Sequence, residues 1–238
     1  MQGGLQYRKE ELRVMDAMDG DLERQLRTTI KEAARLTATT PLSGVVEAFE
    51  GLALFVRSHR GKELRLDTFC DACSLVSVLF NCLGLAFKFA EMEYVAKVRD
   101  LMEASKIYTT LYNVLDRDVA NRTVKTQGSH TRNLRRVRQG LDLIRALFEQ
   151  FLSSNDYSLK NAATTAYSRV CAPYHTWAVR TAVYAGMYTL PSREQLLLKL
   201  HETDQTAGKK MRRYMNAVAP VIEYIDKLYM SRNISLDW

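Results

Sequence analysis

Apolar residues recur at helical spacing along most of the chain. They return every three or four positions, whereas the strict alternation of apolar and polar residues that is typical of strands is rare. The pattern therefore predicts an all-α protein. Ahead of the breaker TATTPLSG, residues 21–36 have helical spacing. Beyond it, the predicted helices cover residues 42–58, 66–89, 91–116 with a break near Ser105, 130–153, 158–187, 192–202 and 205–231.

Short polar residues and prolines mark the predicted helix ends. Asp67, Ser129 and Ser192 occupy N-cap positions, where a side-chain oxygen can accept a hydrogen bond from a free backbone N–H. Pro191 is expected to end the helix before it. Pro220 is expected to kink the last helix, because proline lacks the N–H that a helix interior uses.

The segment from Ser129 to Leu152 combines a helix that is apolar on one side with five arginines. The apolar arc consists of Leu134, Val137, Leu141, Ile144, Phe148 and Phe151. The opposite side carries charges of both signs and is expected to face water, and its members are Arg135, Arg138, Asp142, Arg145 and Glu149. Arg132 and Arg136 lie one turn apart at the edge of the arc. Both can reach out to water or pair with carboxylates, or they can form the wall of an anion site.

Three further places interrupt the helical pattern. Glu93 and Lys97 are four residues apart beside an apolar line, as in an ordinary surface ion pair. His175 lies in a very apolar stretch with Trp177 two residues on, and a histidine in such a place is commonly a core residue with its hydrogen bonds satisfied. The final ISLDW, with Trp238, is expected to dock onto the core.

Composition limits the class of protein. At 238 residues and 47% hydrophobic content, the chain can form a sizeable core. It has neither an apolar run long enough to span a membrane nor a signal-peptide pattern, so we expect a soluble intracellular protein. The four cysteines are expected to be reduced and buried, since the C-x-x-C formed by Cys70 and Cys73 lacks the second pair or histidine of a zinc site.

Charge divides the chain at about residue 40. Residues 1–40 hold seven acidic and seven basic residues, so the net charge of +7 belongs to the remainder. Such a surplus favours an acidic partner, either a membrane surface or a polyanion. Residues 1–20 are expected to be mobile, and Pro41 is expected to open the main domain.

No motif for catalysis or for a cofactor occurs. The sequence lacks the G-x-S-x-G, H-E-x-x-H and G-x-G-x-x-G patterns and a phosphate-binding glycine loop, so it gives no reason to propose an enzyme, a cofactor or a metal. The basic residues are spread over many helices without helix-turn-helix spacing or an aromatic platform for single strands. We therefore do not expect nucleic-acid binding.

Several blocks of sequence resemble the glycolipid transfer protein family, most closely its plant accelerated-cell-death branch, which carries ceramide-1-phosphate. They are DACSLVSVLFNCLGLAFKFAEMEYVAKVRDL, GSHTRNLRRVRQGLDLIRALFEQ, YHTWAVR, GMYTLPSREQLL and the final LDW. The resemblance covers residues 42–238 and makes 41–238 one domain, with residues 1–40 as an N-terminal extension, partly helical or mobile. It implies a two-layer sandwich of helices that encloses a hydrophobic cavity for two lipid chains.

The same resemblance implies roles for particular residues. Lys97, Arg132 and Arg136 match the cations that bind the phosphate headgroup, and His175 matches a histidine that hydrogen-bonds the ceramide amide carbonyl. In the sugar-binding branch a tryptophan occupies the position of Arg136, so this chain favours a phosphate headgroup. Glu93 stands where family members carry the aspartate that accepts from the amide N–H, and its extra methylene puts affinity and headgroup choice in question.

The expected function is non-enzymatic transfer of a phosphosphingolipid, ceramide-1-phosphate above all, between membranes, linked to regulation of programmed cell death. Trp177 matches a family tryptophan that anchors the protein transiently at an anionic membrane surface. The expected location is the cytosol, peripheral to membranes, and protein partners are unidentified. The alternative is a lipid sensor or protein-interaction module of the same fold, in which Glu93 impairs transfer.

Overall fold

The structure, a computed structural model, describes residues 20–58, 63–84, 87–154 and 156–238. Regular structure in these ranges is helical, and the only β contacts there are two isolated bridges. The helices are α1 (residues 20–36), α2 (Pro41–Ser58), α3 (Leu66–Leu75), α4 (Ser77–Cys82), α5 (Lys88–Ala104), α6 (Leu111–Ala120), α7 (His130–Ser153), α8 (Lys160–Val170), α9 (Trp177–Gly186), α10 (Arg193–Leu200) and α11 (Asp204–Met230). Short 3-10 turns cover Ala172–Tyr174 and Met187–Thr189.

Most of the local predictions are confirmed. The arginine-rich segment forms one helix, α7, and the Ser129 hydroxyl caps it by accepting from the backbone N–H of Arg132 at 3.2 Å. Ser192 caps α10 in a reciprocal capping box with Gln195. The predicted break near Ser105 is also present, because this residue is the C-cap of α5.

The predicted helix over residues 158–187 is wrong. α8 ends at Val170, a 3-10 turn that contains Pro173 follows, and α9 begins only at Trp177. Proline has no N–H to donate and its ring clashes with the preceding turn, so the helix stops here. Pro191 consequently follows a 3-10 turn and ends no long helix. The predicted helix over 66–89 is likewise divided, into α3 and α4.

Two other local predictions concern Asp67 and Pro220. The N-cap of α3 is Arg65, so the prediction that Asp67 caps this helix is wrong. The Asp67 carboxylate instead accepts hydrogen bonds from Arg27 at 2.9 Å and from Arg65 at 2.8 Å, and so ties α1 to α3. Pro220 lies within α11, which is helical from Asp204 to Met230.

The helices pack as a two-layer sandwich with the apolar core between the layers, as predicted. α2 lies along α11, while α7 contacts α5, α8 and α11, and α3 packs on α5. Three aromatic rings from α2, α7 and α11 meet in the core, with Tyr214 edge-on to Phe49 and to Phe148 at centroid distances of 5.5 and 5.4 Å. Each such buried ring contributes roughly 1.5–3 kcal/mol of burial free energy, so this contact holds α2, α7 and α11 together.

The described part of residues 1–40 packs on the main domain. α1 buries Leu26, Ile30 and Ala33, which are spaced along one face of the helix. At Gly44 of α2, a Cβ atom would lie 2.3 Å from the backbone oxygen of Ala33, so the two helices touch closely there. The predicted helix at 21–36 is therefore present. The mobility predicted for residues 1–20 cannot be compared with the structure, because residues 1–19 lie outside the described residues. A domain boundary at residue 40 stays a prediction.

The cysteines and the helix lengths bear on the class of protein. All four cysteines are free and buried, as predicted. Burial raises the pKa of the Cys70 and Cys73 thiols far above the ordinary range, so both are held as neutral packing groups. In the described ranges, no cluster of three potential metal ligands occurs, and no helix there is apolar over a length that would cross a bilayer.

Candidate functional site

Helices α5 and α7 approach each other closely at a glycine. A Cβ atom at Gly140 would lie 2.5 Å from Cδ2 of the Tyr94 ring, so a larger residue does not fit without movement. Tyr94 is itself buried, and its hydroxyl donates to the backbone oxygen of Cys73 at 2.9 Å. Nearby, Asn133 donates to the Asp100 carboxylate at 2.6 Å. These contacts fix the register of α5 on α7, on which the candidate site is built.

Arg132 and Arg136 are two half-buried cations one turn apart on α7. Arg132 donates to the backbone oxygen of Lys125 at 2.7 Å, and Arg136 donates to the side-chain oxygen of Gln139 at 2.8 Å. Among the described residues no carboxylate lies within ion-pair distance of either guanidinium. Burial, together with the neighbouring charges of Arg132 and Arg135, lowers the pKa of Arg136. Positive charge is thus concentrated here without a direct counter-charge.

Glu93 and Lys97 on α5 form the facing part of the cluster. The Lys97 ammonium lies 3.6 Å from a Glu93 carboxylate oxygen. The two side chains differ in exposure, since that of Glu93 is 77% exposed and that of Lys97 only 30%. The Glu93 charge also acts on Arg136, where it opposes the lowering of the pKa. Such an exposed pair is weak, so Lys97 can exchange this partner for another anion.

His175 lies at the end of the 3-10 turn that interrupts the predicted long helix. Its ring is half-buried, and Nδ1 lies 2.8 Å from the hydroxyl of Tyr167. Burial and the charge of Arg136 lower the pKa of His175, so the ring is neutral at pH 7. Within the described residues, Nε2 has no hydrogen-bond partner. If the tyrosine hydroxyl donates to Nδ1, then Nε2 carries the proton and can donate to a ligand.

A protein-family model described as glycolipid transfer protein (GLTP) matches residues 64–202, more than half of the chain. The chain belongs to this family. The match covers the elements that carry all the residues of the cluster, from α5 through α7 to His175.

Relatives of this GLTP-family chain include plant and animal proteins. The Arabidopsis thaliana "ACD11 homolog protein" is 66% identical over an alignment of 229 positions that covers 93% of this chain and 100% of that relative. The crystal structure of a mutant of Arabidopsis accelerated-cell-death 11, complexed with C12 ceramide-1-phosphate, has 48% identity and a TM-score of 0.81, and the match covers 84% of this chain and 100% of that one. The ceramide-1-phosphate transfer protein of Mus musculus is 29% identical, and the match covers 72% of this chain and 87% of that relative.

Trp177 opens α9 on the outer surface of this family member. Its side chain is 74% exposed, and no residue of α9 is buried, although the helix is mostly apolar. Val179 and Tyr188 are further exposed apolar side chains on α9 and just beyond it. Since Trp177 follows His175 by two residues, an apolar surface lies next to the polar cluster.

A groove runs along the apolar line of α5, between this helix and α3–α4. Its volume is about 310 Å³. It is lined by Ser74, Ser77, Tyr94, Val95, Val98, Arg99 and Met102. Val95 lies between Glu93 and Lys97 in sequence. The groove therefore runs beside the part of the cluster that α5 carries.

The prediction that Arg135, Arg138 and Asp142 face water is wrong. Arg135 is 3% exposed, and its Nη2 donates to the backbone oxygen of Leu236 at 2.8 Å. The segment after α11 covers this side of α7, and the pattern of α7 alone carries no sign of that cover. Arg138 is also mostly buried, in an ion pair with Asp226 at 2.6 Å.

Proposed function

We propose that this chain binds a phosphosphingolipid, ceramide-1-phosphate in particular, and carries it between membranes without changing it chemically. The observation that carries the proposal is the pair of half-buried arginines on α7, with which no described carboxylate forms an ion pair. The ceramide-1-phosphate bound to Arabidopsis accelerated-cell-death 11 supports the same ligand here. The name of that relative also supports a role in the regulation of cell death.

In this proposal Arg132, Arg136 and Lys97 bind the phosphate. A phosphate monoester carries about −1.5 to −2 charges at pH 7. A planar guanidinium can donate two parallel hydrogen bonds to it, and a partly buried site strengthens these bonds. Binding an anion also relieves the repulsion between Arg132 and Arg136 that contributes to the lowered pKa of Arg136. Lys97 completes the site when its ammonium turns from Glu93 to the phosphate.

His175 and Glu93 recognise the ceramide amide. The neutral His175 ring donates from Nε2 to the amide carbonyl, with Tyr167 holding the opposite ring nitrogen. The Glu93 carboxylate accepts from the amide N–H. Because this side chain is largely exposed and only weakly paired, it can adjust for its extra methylene without breaking a buried contact. Glu93 therefore tunes affinity while leaving transfer intact.

The hydrocarbon chains enter between the helix layers. Two chains with roughly thirty methylenes would cost on the order of 20 kcal/mol to leave in water, so they require an apolar enclosure. The groove beside α5 is about 310 Å³, which is the lower end of the roughly 300–1,000 Å³ typical of small-ligand sites. A two-chain lipid needs more room. Uptake thus involves separation of the layers as the chains enter.

Membrane contact occurs through Trp177 and the exposed apolar surface of α9. Tryptophan favours the bilayer interface, and the net charge of +7 attracts the protein to anionic leaflets. Docking then weakens as salt screens the charges. The corresponding location is the cytosol, at the surface of membranes.

The test is transfer of fluorescent ceramide-1-phosphate from donor to acceptor vesicles, with glucosylceramide and phosphatidic acid as competitors. The native chain is expected to transfer it, and Arg136→Ala is expected to reduce transfer by roughly tenfold or more, because it removes a charge-assisted hydrogen bond. Arg145→Ala is the matched control, since this arginine is on the same helix but pairs with Asp142 away from the site. Its transfer rate should equal that of the native chain.

The Glu93→Asp variant distinguishes a lipid carrier from the alternative, a lipid sensor or protein-interaction module with impaired transfer. If Glu93 only tunes affinity, the native chain transfers lipid and Glu93→Asp changes the rate modestly. A native chain that is inert, with a Glu93→Asp variant that is active, would instead favour the sensor alternative. If both are inert and neither binds ceramide-1-phosphate, the proposal is wrong.

A further inference from the structure

A buried arginine joins α7 to the segment that follows α11. Besides its bond to the Leu236 carbonyl, the Arg135 guanidinium stacks over the ring of Tyr174, with its carbon 5.0 Å from the ring centroid. Its Nε and Nη1 have no partner in the described part of the chain. A buried charge with unused donors lowers stability relative to an apolar residue of the same size. A contribution to stability therefore does not account for Arg135.

Tyr174 links the same carbonyl to the headgroup site. The Tyr174 hydroxyl donates to the Leu236 oxygen at 3.4 Å, so this single carbonyl receives both Arg135 and Tyr174. Tyr174 is the last residue of the 3-10 turn, and His175 follows directly with its backbone N–H bonded to Ala172. The position of Tyr174 thus determines where the ring of His175 lies.

The other end of the segment contacts a residue that holds Arg132. The Trp238 indole donates to the Ser235 oxygen at 2.6 Å, which folds residues 235–238 into a compact turn. The Lys125 ammonium lies 5.4 Å from the Trp238 ring centroid, in a cation–π contact. The backbone oxygen of Lys125 is the acceptor for the Arg132 guanidinium. The segment therefore contacts supports of both His175 and Arg132.

We propose that residues 235–238 form a strap that holds the headgroup site in its binding geometry, with Arg135 and Tyr174 as the positioning residues that fasten it. Neither residue needs to touch the lipid. Arg135 fixes the strap on α7, and Tyr174 transmits its position to His175. The effect on lipid binding rests on the proposed function. The effect of the strap on the position of His175 does not.

The test compares Arg135→Met and Tyr174→Leu with the conservative Tyr174→Phe and with Arg145→Met, a matched arginine of α7 outside the strap. Methionine keeps most of the buried volume of Arg135, so the fold is retained. Arg135→Met and Tyr174→Leu should each weaken binding of short-chain ceramide-1-phosphate by roughly tenfold, the equivalent of one charge-assisted hydrogen bond. Tyr174→Phe keeps the ring that stacks on Arg135 but loses the hydrogen bond to the Leu236 oxygen, so it should weaken binding less than Tyr174→Leu does.

Two measurements without lipid make the test independent of the proposed function. In a Trp177→Phe background, Trp238 is the one tryptophan left, and acrylamide quenching of its fluorescence reports release of the strap. The pKa of His175, followed by NMR, reports its burial. Arg135→Met and Tyr174→Leu should increase quenching and move this pKa up towards its ordinary value. Tyr174→Phe should move both readouts less than Tyr174→Leu does, and Arg145→Met should leave both unchanged.

The possible outcomes separate clearly. If Arg135→Met and Tyr174→Leu lower only the melting temperature and leave quenching and the His175 pKa unchanged, the strap is refuted and the contacts are merely structural. If both lipid-free readouts move as expected but the native chain binds no ceramide-1-phosphate, the strap stands and the proposed function fails. If all three readouts move together, both proposals are supported.

Discussion

Gly140→Ala should separate α5 from α7 and damage stability and lipid binding together. The added Cβ would lie 2.5 Å from the Tyr94 ring, whereas ordinary contacts begin at 3.4 Å, so the ring or one helix must move by about 1 Å. Tyr94 cannot swing away freely, because it is fully buried and its hydroxyl is bonded to Cys73. Overpacking costs about 1–3 kcal/mol and a broken buried hydrogen bond about 1–3 kcal/mol, while alanine returns up to about 1 kcal/mol of helix propensity. The expected net loss is roughly 1–5 kcal/mol.

Urea unfolding measures this loss, and vesicle transfer measures its effect on the site. Gly208→Ala is the matched control. A Cβ atom at this glycine of α11 would lie 3.4 Å from Leu152 and 3.7 Å from Arg212, so alanine should fit there. In Gly140→Ala, the carboxylate and ammonium on α5 move relative to the arginines on α7, so transfer should fall. Adding Tyr94→Leu makes room and should recover part of the stability. A Gly140→Ala variant as stable and as active as Gly208→Ala would refute the close approach.

Three further predictions follow from other contacts. Asp67→Asn should lower the free energy of unfolding at pH 7 by about 1–2 kcal/mol, since it removes the ion pairs to Arg27 and Arg65. Burial alone would raise the pKa of Asp67, but the hydrogen bonds from both arginines hold it well below its usual range, so the stabilisation is present above the unfolded pKa near 4 and is lost as pH falls further. Unfolding curves of both forms should therefore converge in strong acid, and a constant difference would contradict the assignment. Trp177→Ala should reduce vesicle binding while leaving the affinity for short-chain ceramide-1-phosphate unchanged, measured by co-sedimentation and by calorimetry; equal vesicle binding would remove Trp177 from the docking surface. Cys73 should resist thiol reagents at pH 8 until the chain unfolds, because burial raises its pKa, and rapid labelling of the native chain would contradict its burial.

The sequence was most informative where structure depends on neighbours along the chain. The bounds of α7 follow from its apolar arc and from the Ser129 cap, both of which are local. The break at Ser105 was likewise predictable. The helix predicted over residues 158–187 is interrupted at Pro173, whose missing N–H is a local signal that locates the break.

Burial imposed by distant segments could not be predicted from local pattern. Arg135 falls on the charged side of α7, yet Leu236, about a hundred residues away, covers it. Asp67 resembles an N-cap by type, but Arg27 and Arg65 bind its carboxylate. The residues suggested for the headgroup site came from a family resemblance, and periodicity alone did not distinguish Arg132 and Arg136 from ordinary surface arginines.

The candidate site holds three arginine charges close together on α7. Arg132, Arg135 and Arg136 lie within two turns of α7, all at least half-buried, and the pKa of Arg136 is lowered by burial and by the other two charges. A lowered arginine pKa means that the charged form is less favourable in the fold than in water. On the proposed function, an anionic headgroup removes this penalty, so ligand binding and fold stability are linked, and saturation at a hundredfold excess over Kd would add about 2.7 kcal/mol. A neutral lipid of the same size gains the apolar burial but leaves the cations unpaired. On the proposed function, discrimination in favour of a phosphate headgroup thus arises from relief of the repulsion among these charges as well as from the contacts in the complex.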